Sequence, residues 1–121
     1  MSWVDGAQDG WVEACRIDDI EAEDVIEVQC AGRTCAVYRS PQDTFHATDP
    51  LCTHERACLA EGLVQGEIIE CPKHNGRFNY KTGEATRPPA REPLCTYPVK
   101  TEGGRVFIGL NGSSRSEPSV A

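Results

Sequence analysis

Short segments of alternating apolar and polar residues cover most of the chain, and they predict β-strands rather than helices. Glycine and proline separate these segments at short intervals. The residues Glu102-Gly103-Gly104 predict a hairpin between the last two strands, because glycine accepts the positive φ of tight turns. One helical turn is predicted, at 17–20. The predicted strands are 11–17, 25–29, 34–39, 44–47, 67–70, 77–80, 97–101 and 105–110.

Strands at this spacing predict an all-β fold, a small antiparallel β-sandwich. The pattern is broken between 49 and 90, where two segments are dense in Cys, His, Gly and Pro. Since binding sites are usually built on loops of a rigid scaffold, we expect a two-loop subdomain over about 49–90 at one end of a single domain, 1–110. Residues 111–121 contain almost nothing apolar and predict a flexible tail.

The composition narrows the possible environments and partners. The chain has 121 residues, with 39% hydrophobic residues and a formal net charge of -7, as expected for one soluble domain. Apolar runs are only a few residues long and the N-terminus has no positive cluster, so neither a membrane span nor a secretory signal is predicted. We therefore expect a cytoplasmic protein. The acidic balance disfavours nucleic acid and favours a basic protein surface as partner.

Seven cysteines stand against three histidines. In a reducing compartment this surplus indicates metal binding or redox chemistry rather than a disulfide framework. Four of the cysteines lie in or beside strand-like segments, where we expect them to pack as small apolar side chains; they are Cys15, Cys30, Cys35 and Cys95. His46 lies in the strand-like segment 44–47, outside both motifs, and is interpreted as an ordinary surface or edge histidine.

Two motifs each contain a cysteine and a histidine, the residue types that most often bind zinc or iron. Cys52-Thr53-His54 is followed 16 residues later by Cys71-Pro72-Lys73-His74, so each segment offers one thiolate and one imidazole. Sulfur and nitrogen ligands suit zinc or iron. The residues alone leave two interpretations open: a structural Cys₂His₂ zinc site, or an iron–sulfur cluster with two Cys on one iron and two His on the other.

Cys52-Thr53-His54 and the segment 71–78 closely resemble the Rieske cluster-binding boxes. Over about 11–110 the chain resembles Rieske-type ferredoxins of bacterial aromatic-ring-hydroxylating or demethylating oxygenase systems. The resemblance implies one [2Fe-2S] cluster, with Cys52 and Cys71 on the inner iron and His54 and His74 on the outer iron. Two imidazoles in place of thiolates raise the potential above that of all-Cys ferredoxins.

The resemblance also implies a role without catalysis. A soluble carrier of this kind accepts electrons from an NAD(P)H-dependent flavin reductase and passes them to the Rieske centre of a terminal oxygenase. We expect a monomer. If His54 and His74 bind the cluster, only His46 remains, and one histidine cannot supply the two that a mononuclear iron site of an oxygenase needs. A small subunit of the nitrite-reductase type is an alternative, as is the zinc module.

Departures from the high-potential Rieske pattern predict a low reduction potential. That family ties its two loops with a disulfide; here Lys73 occupies one of the two positions and Cys58 lies one residue beyond the other, so no such bridge is expected. The family's Ser and Tyr hydroxyl donors are replaced by Gly76 and Phe78. Since hydrogen bonds to sulfur stabilise the reduced cluster, we expect a potential on the order of -150 mV. Pro88-Pro89 resembles the proline turn that covers the cluster.

Overall fold

The computed structural model describes residues 11–53, 57–73 and 75–109. Within these ranges the chain forms strands joined by turns, with two short 3₁₀ turns at Ile17–Asp19 and Leu59–Glu61. The strands are β1 (Trp11–Arg16), β2 (Asp24–Cys30), β3 (Arg33–Arg39), β4 (Phe45–Thr48), β5 (Leu63–Gln65), β6 (Ile68–Glu70), β7 (Arg77–Asn79), β8 (Ala85–Arg87), β9 (Thr96–Tyr97), β10 (Val99–Glu102) and β11 (Arg105–Gly109).

Three antiparallel sheets pack around two apolar cores. The base sheet has the order β1-β11-β10, the middle sheet β2-β3-β4-β9, and the third sheet β5-β6-β7-β8. One core lies between the base and middle sheets and contains Val37 and Ile108. The other lies between the middle and third sheets and contains Tyr38 and Phe78. The predicted all-β antiparallel fold is therefore confirmed, and the third sheet falls within the predicted subdomain, 49–90.

Strand β3 contributes side chains to both cores. Cys35 and Val37 face the base sheet, whereas Ala36 and Tyr38 face the third sheet, and all four are fully buried. Because both faces of β3 are covered, its side chains do not alternate between apolar and polar. This explains the nearly continuous apolar run at 35–38.

The predicted single strand 97–101 is wrong, because the chain changes sheets at Pro98. Strand β9 pairs with β4 in the middle sheet, and β10 pairs with β11 in the base sheet. Proline has no amide hydrogen to continue the ladder with β4. Its carbonyl accepts the Gly109 amide at 2.9 Å, which starts the pairing with the other sheet.

Two stacked tyrosines join the middle sheet to the third sheet. The rings of Tyr38 and Tyr80 are 4.6 Å apart and nearly parallel. The buried Tyr38 hydroxyl lies 2.8 Å from the Thr48 hydroxyl, which donates to the Asp49 carbonyl. Burial raises the pKa of Tyr38, so this hydroxyl remains a proton donor. The stack fixes the third sheet against the start of the first motif loop.

The four cysteines predicted to pack do so. Cys30 and Cys35 are buried and Cys15 and Cys95 are half-buried, all in the core between the base and middle sheets. Burial raises the pKa of Cys15 and of Cys35 to about 11, which keeps both as unreactive thiols. His46 is half-buried on β4 rather than on the open surface, with its ring 5.6 Å from that of Tyr80.

In the described part of the chain, no helix has the length and apolar character needed to cross a membrane. The predicted tail, 111–121, lies outside the described residues.

Candidate metal centre

Cys52 and Cys71 are both buried, each with 1% of its surface exposed, in the core between the middle and third sheets. Cys52 follows Leu51, which forms an isolated bridge with Cys58. Cys71 directly follows β6. Each motif cysteine therefore comes directly after a residue in an antiparallel pair. Each begins its loop and is buried inside the protein. His54 and His74, the other two predicted ligands, lie outside the described residues.

The two motif loops have equal lengths and close in the same way. The Cys52 amide donates to the Ala57 carbonyl at 2.8 Å, and the Cys71 amide donates to the Gly76 carbonyl at 2.7 Å, five residues on in each case. The flanking antiparallel pairs match as well: Leu51 opposes Cys58, and Glu70 opposes Arg77. The chain thus presents two equivalent hairpin loops, each with a buried cysteine at its first position.

The surroundings of Cys71 fit a thiolate that binds metal. The Lys73 amide donates to Cys71 Sγ at 3.4 Å, and a peptide donor stabilises negative charge on sulfur. The Lys73 side chain itself is exposed. Gly76 and Phe78 are buried and have no side-chain hydroxyl. Buried sulfur, an amide donor and a second buried cysteine on a matching loop fit thiolates that bind a metal, an iron–sulfur cluster included.

A polar group stabilises the base of the second loop. Asn75 has a positive φ of 59° and its side-chain amide donates to the Glu70 carboxylate. Arg77 Nη2 forms an ion pair with Glu70 Oε1 at 3.1 Å. The Asn75 hydrogen bond and the Arg77 and Arg87 guanidinium groups lower the pKa of Glu70. This carboxylate therefore remains ionised and holds the loop in its turn.

The segment 88–95 supports the first loop. The Thr53 hydroxyl donates to the Glu92 carbonyl at 2.8 Å, and the Asp49 amide donates to the Cys95 carbonyl at 3.0 Å. Between them lies an open cavity of about 330 Å³ beside Cys52. Pro88-Pro89, joined by a cis peptide bond, forms an exposed turn in this segment. Whether the turn covers a cluster stays a prediction.

Cys58 is a free thiol at the end of the first loop. It is half-exposed, and its Sγ lies 3.8 Å from Glu27 Oε2. Its position opposite Leu51 places it in the hairpin pair, not inside the loop.

A small three-sheet β-domain with two equal cysteine loops at one end defines an iron–sulfur electron carrier of the Rieske class. The chain belongs to the Rieske [2Fe-2S] domain family, whose model matches residues 10–98. It therefore contains a Rieske-type [2Fe-2S] cluster, as predicted, and the zinc alternative is wrong.

The curated relatives are electron-transfer components. The chain is 43% identical over 101 residues to the ferredoxin component of the naphthalene 1,2-dioxygenase system of Pseudomonas putida, covering 84% of this chain and 96% of the relative. It is 42% identical over 100 residues to the ferredoxin component of the naphthalene 1,2-dioxygenase and salicylate 5-hydroxylase systems of Ralstonia sp., covering 83% and 95%. These relatives confirm an electron carrier rather than an enzyme, and they favour it over the nitrite-reductase alternative.

A solved structure agrees with this assignment. The fold matches a chain in the complex of reduced oxygenase and oxidised ferredoxin of carbazole 1,9a-dioxygenase, with a TM-score of 0.76 and 32% identity, covering 94% of this chain and 100% of the other. The sequence singled out the two motifs, and their role as cluster ligands stays a prediction. The sequence had not indicated the equal loop closures or the Lys73 amide donor, which depend on backbone geometry.

Proposed function

We propose that this protein is the ferredoxin of a multicomponent oxygenase system. It takes one electron at a time from an NAD(P)H-dependent flavin reductase and delivers it to the Rieske centre of a terminal oxygenase. It acts as a cytoplasmic monomer. The observation that carries the proposal is the pair of equal loops with buried cysteines in a chain more than 40% identical to ferredoxin components.

Cys52, His54, Cys71 and His74 are the proposed cluster ligands. When bound, the cluster supplies a single reversible electron at its His-ligated iron. The burial of both cysteines excludes water from the sulfur side of the site. The Lys73 amide stabilises charge on Cys71 Sγ, and no hydroxyl is available at Gly76 or Phe78 to add to it. The potential is therefore expected at the low end of the Rieske range, on the order of -150 mV.

Substitution of the cysteines tests the ligand assignment. We expect Cys52→Ser and Cys71→Ser to lose bound iron and sulfide together with the visible spectrum. Cys58→Ser is the matched control, because Cys58 ends the same hairpin but faces Glu27. It should keep the wild-type iron content and spectrum. Full cluster loading of Cys71→Ser with an unchanged spectrum would refute the assignment.

His74→Cys tests the nitrogen ligand. An added thiolate places negative charge on the outer iron, so the variant should retain a cluster with an altered reduced-state EPR spectrum and a lower potential. An unchanged spectrum would show that His74 is not a ligand. A wild-type midpoint well above zero would contradict the low-potential prediction.

Reconstitution tests the carrier role. The purified protein should support turnover by terminal oxygenases of the naphthalene, carbazole and biphenyl dioxygenase systems, each supplied with its own reductase. We expect substrate oxidation with at least one of them, at a rate that falls as salt rises, since charge steers the encounter. Reduction by the reductases without electron delivery to any of the three oxygenases would contradict the proposed role.

A further inference from the structure

The charges of this acidic chain are unevenly distributed along the sequence. The segment 71–91 contains five Lys or Arg residues and one Glu, in a chain with a net charge of -7. By contrast, the segment 17–27 contains six Asp or Glu residues and no Lys or Arg. The positive segment includes the second motif loop. Two of its cations form ion pairs with carboxylates just outside the segment, Arg77 with Glu70 and Lys81 with Glu67. The exposed positive charge on this flank of the site therefore comes from Lys73, Arg87 and Arg91.

Strand register brings part of this segment onto one face of the third sheet. One residue from each of the four strands lies in a line across the sheet. Leu63 pairs with Glu70, Glu70 with Arg77, and Arg77 with Arg87. We call these four residues the transverse row. Side chains that oppose each other across antiparallel strands lie on the same face of a sheet. The neighbouring positions Val64, Ile69 and Phe78 are buried on the opposite face. The transverse row therefore lies on the outer face.

The row combines an apolar side chain with positive charge. Leu63 is 53% exposed, and it is the one exposed large apolar side chain among the residues that the structure describes. Arg77 is held by Glu70, whereas Arg87 is exposed and has no ion-pair partner among the residues that the structure describes. Because the register shifts between Arg77 and Phe78, Phe78 pairs with Ala85 whereas Arg77 pairs with Arg87. The exposed Lys73 lies in the loop beside this row.

The row lies directly beside one of the proposed ligands, Cys71. Glu70 and Arg77 are the pair that closes the second loop, and Cys71 is the next residue after Glu70. A protein bound over the row would thus contact the base of the loop from which the electron leaves. Exposed arginine beside an apolar anchor is a combination enriched at protein interfaces.

We propose that the transverse row is a docking surface for an acidic patch on the terminal oxygenase. This inference rests on the proposed function and names the partner and the charge that it presents. It departs from the basic partner surface that the net charge of -7 favours, because the exposed charges beside this row are positive. The oxygenase is the chosen partner because the matching fold described above comes from a complex of ferredoxin and oxygenase. The partner's acidic groups pair with Arg87 and Lys73, and an apolar group covers Leu63.

The base sheet supplies a matched control. Arg16 opposes Arg105 across β1 and β11, and Arg105 is held by Glu13 at 3.2 Å, just as Arg77 is held by Glu70. Arg16→Glu and Arg87→Glu therefore change the net charge by the same amount. Each also replaces one of two arginines that oppose each other across antiparallel strands. Only Arg87 belongs to the transverse row.

The experiment measures turnover by the oxygenase that works best with the wild-type ferredoxin, as a function of ferredoxin concentration. We expect Arg87→Glu to raise the ferredoxin KM about tenfold at low salt, with kcat, visible spectrum and midpoint potential unchanged. Arg16→Glu should change KM less than about twofold. Leu63→Ser, which removes the apolar contact without altering charge, should raise KM several-fold at all salt concentrations, in contrast to the salt-sensitive effect of Arg87→Glu.

Two outcomes would overturn the inference. Equal KM values for Arg87→Glu and Arg16→Glu would show that only net charge matters. An effect of Arg87→Glu confined to reduction by the reductase would assign the surface to the other partner and refute the docking of the oxygenase. Loss of turnover with the wild type in every system is the distinct failure of the proposed function.

Discussion

Gly83 is a position where one added methyl group should destabilise the support of the cluster loops. Its φ is +85°, and its carbonyl accepts the Leu94 amide at 2.7 Å. A Cβ at this position would lie 2.3 Å from the Leu94 carbonyl oxygen and 3.1 Å from Thr96 Cγ2. The first atom belongs to the backbone, so the segment that carries Leu94 must move as a whole.

The cost of Gly83→Ala follows from two contributions. The left-handed backbone costs an alanine about 1–2 kcal/mol. Displacement of Leu94 sacrifices its hydrogen bond to Gly83, about 1 kcal/mol, together with part of the packing of a fully buried leucine. The total of about 3 kcal/mol is a large share of the 5–15 kcal/mol that stabilises a typical domain.

Gly32→Ala isolates the backbone contribution. Gly32 has a nearly identical φ of +80°, and no described heavy atom lies within 4 Å of a Cβ built there. At about 4 °C per kcal/mol, the Tm should fall about 5 °C for Gly32→Ala and more than about 10 °C for Gly83→Ala. Circular dichroism and cluster absorbance, followed at one scan rate, measure both variants of the cluster-loaded protein. Equal losses of Tm would refute the claim that close packing against Leu94 contributes.

Two further predictions concern the polar groups between the middle and third sheets. Thr48→Val removes the buried partner of the Tyr38 hydroxyl, so it should lower the free energy of unfolding by about 1–3 kcal/mol in urea titration; no loss would show that this hydrogen bond is replaced. His46 has a lowered pKa, chiefly because its ring is desolvated, so the folded state prefers the neutral form. Its contribution is therefore present above the ordinary histidine pKa of about 6.5 and is lost as pH falls through the lowered value. The wild-type Tm should decline between about pH 7 and pH 5 more than that of His46→Gln, and parallel declines would contradict this assignment.

Most of the longer strands could be predicted from the sequence because their positions alternate, over part of their length, between buried and more exposed. β2 shows this alternation from Glu27 to Cys30 and β11 shows it from Arg105 to Ile108, whereas β3 is buried on both faces. The predicted bounds of β2 and β11 agree with the observed ones to within a residue or two where the structure describes them. The three-residue strands β5 and β8 were missed. β5 has one buried position and β8 has none, so neither shows a strand pattern in the sequence, and both are strands because they pair within the third sheet. Pro98 was a visible signal for the break between β9 and β10.

The candidate site, like the strands, could be predicted from the sequence only in part. Residue type and spacing singled out Cys52 and Cys71, because thiolate and imidazole ligands are chemically distinctive. The structure buries both cysteines, and their assignment as ligands stays a prediction. The transverse row could not be predicted in this way. It depends on which residues of four strands oppose each other, and a register shift beside Arg77 determines the last of these pairs.

The double role of β3 limits how the protein can be divided. The core that encloses Cys52 and Cys71 takes Val25, Ala36 and Tyr38 from the middle sheet, outside the segment 49–90. An excised 49–90 fragment would expose one whole side of its apolar interior and should not fold alone. The segment 49–90 is thus completed by the rest of the domain, and transplanting it into another β-protein would require a matching strand with both faces apolar.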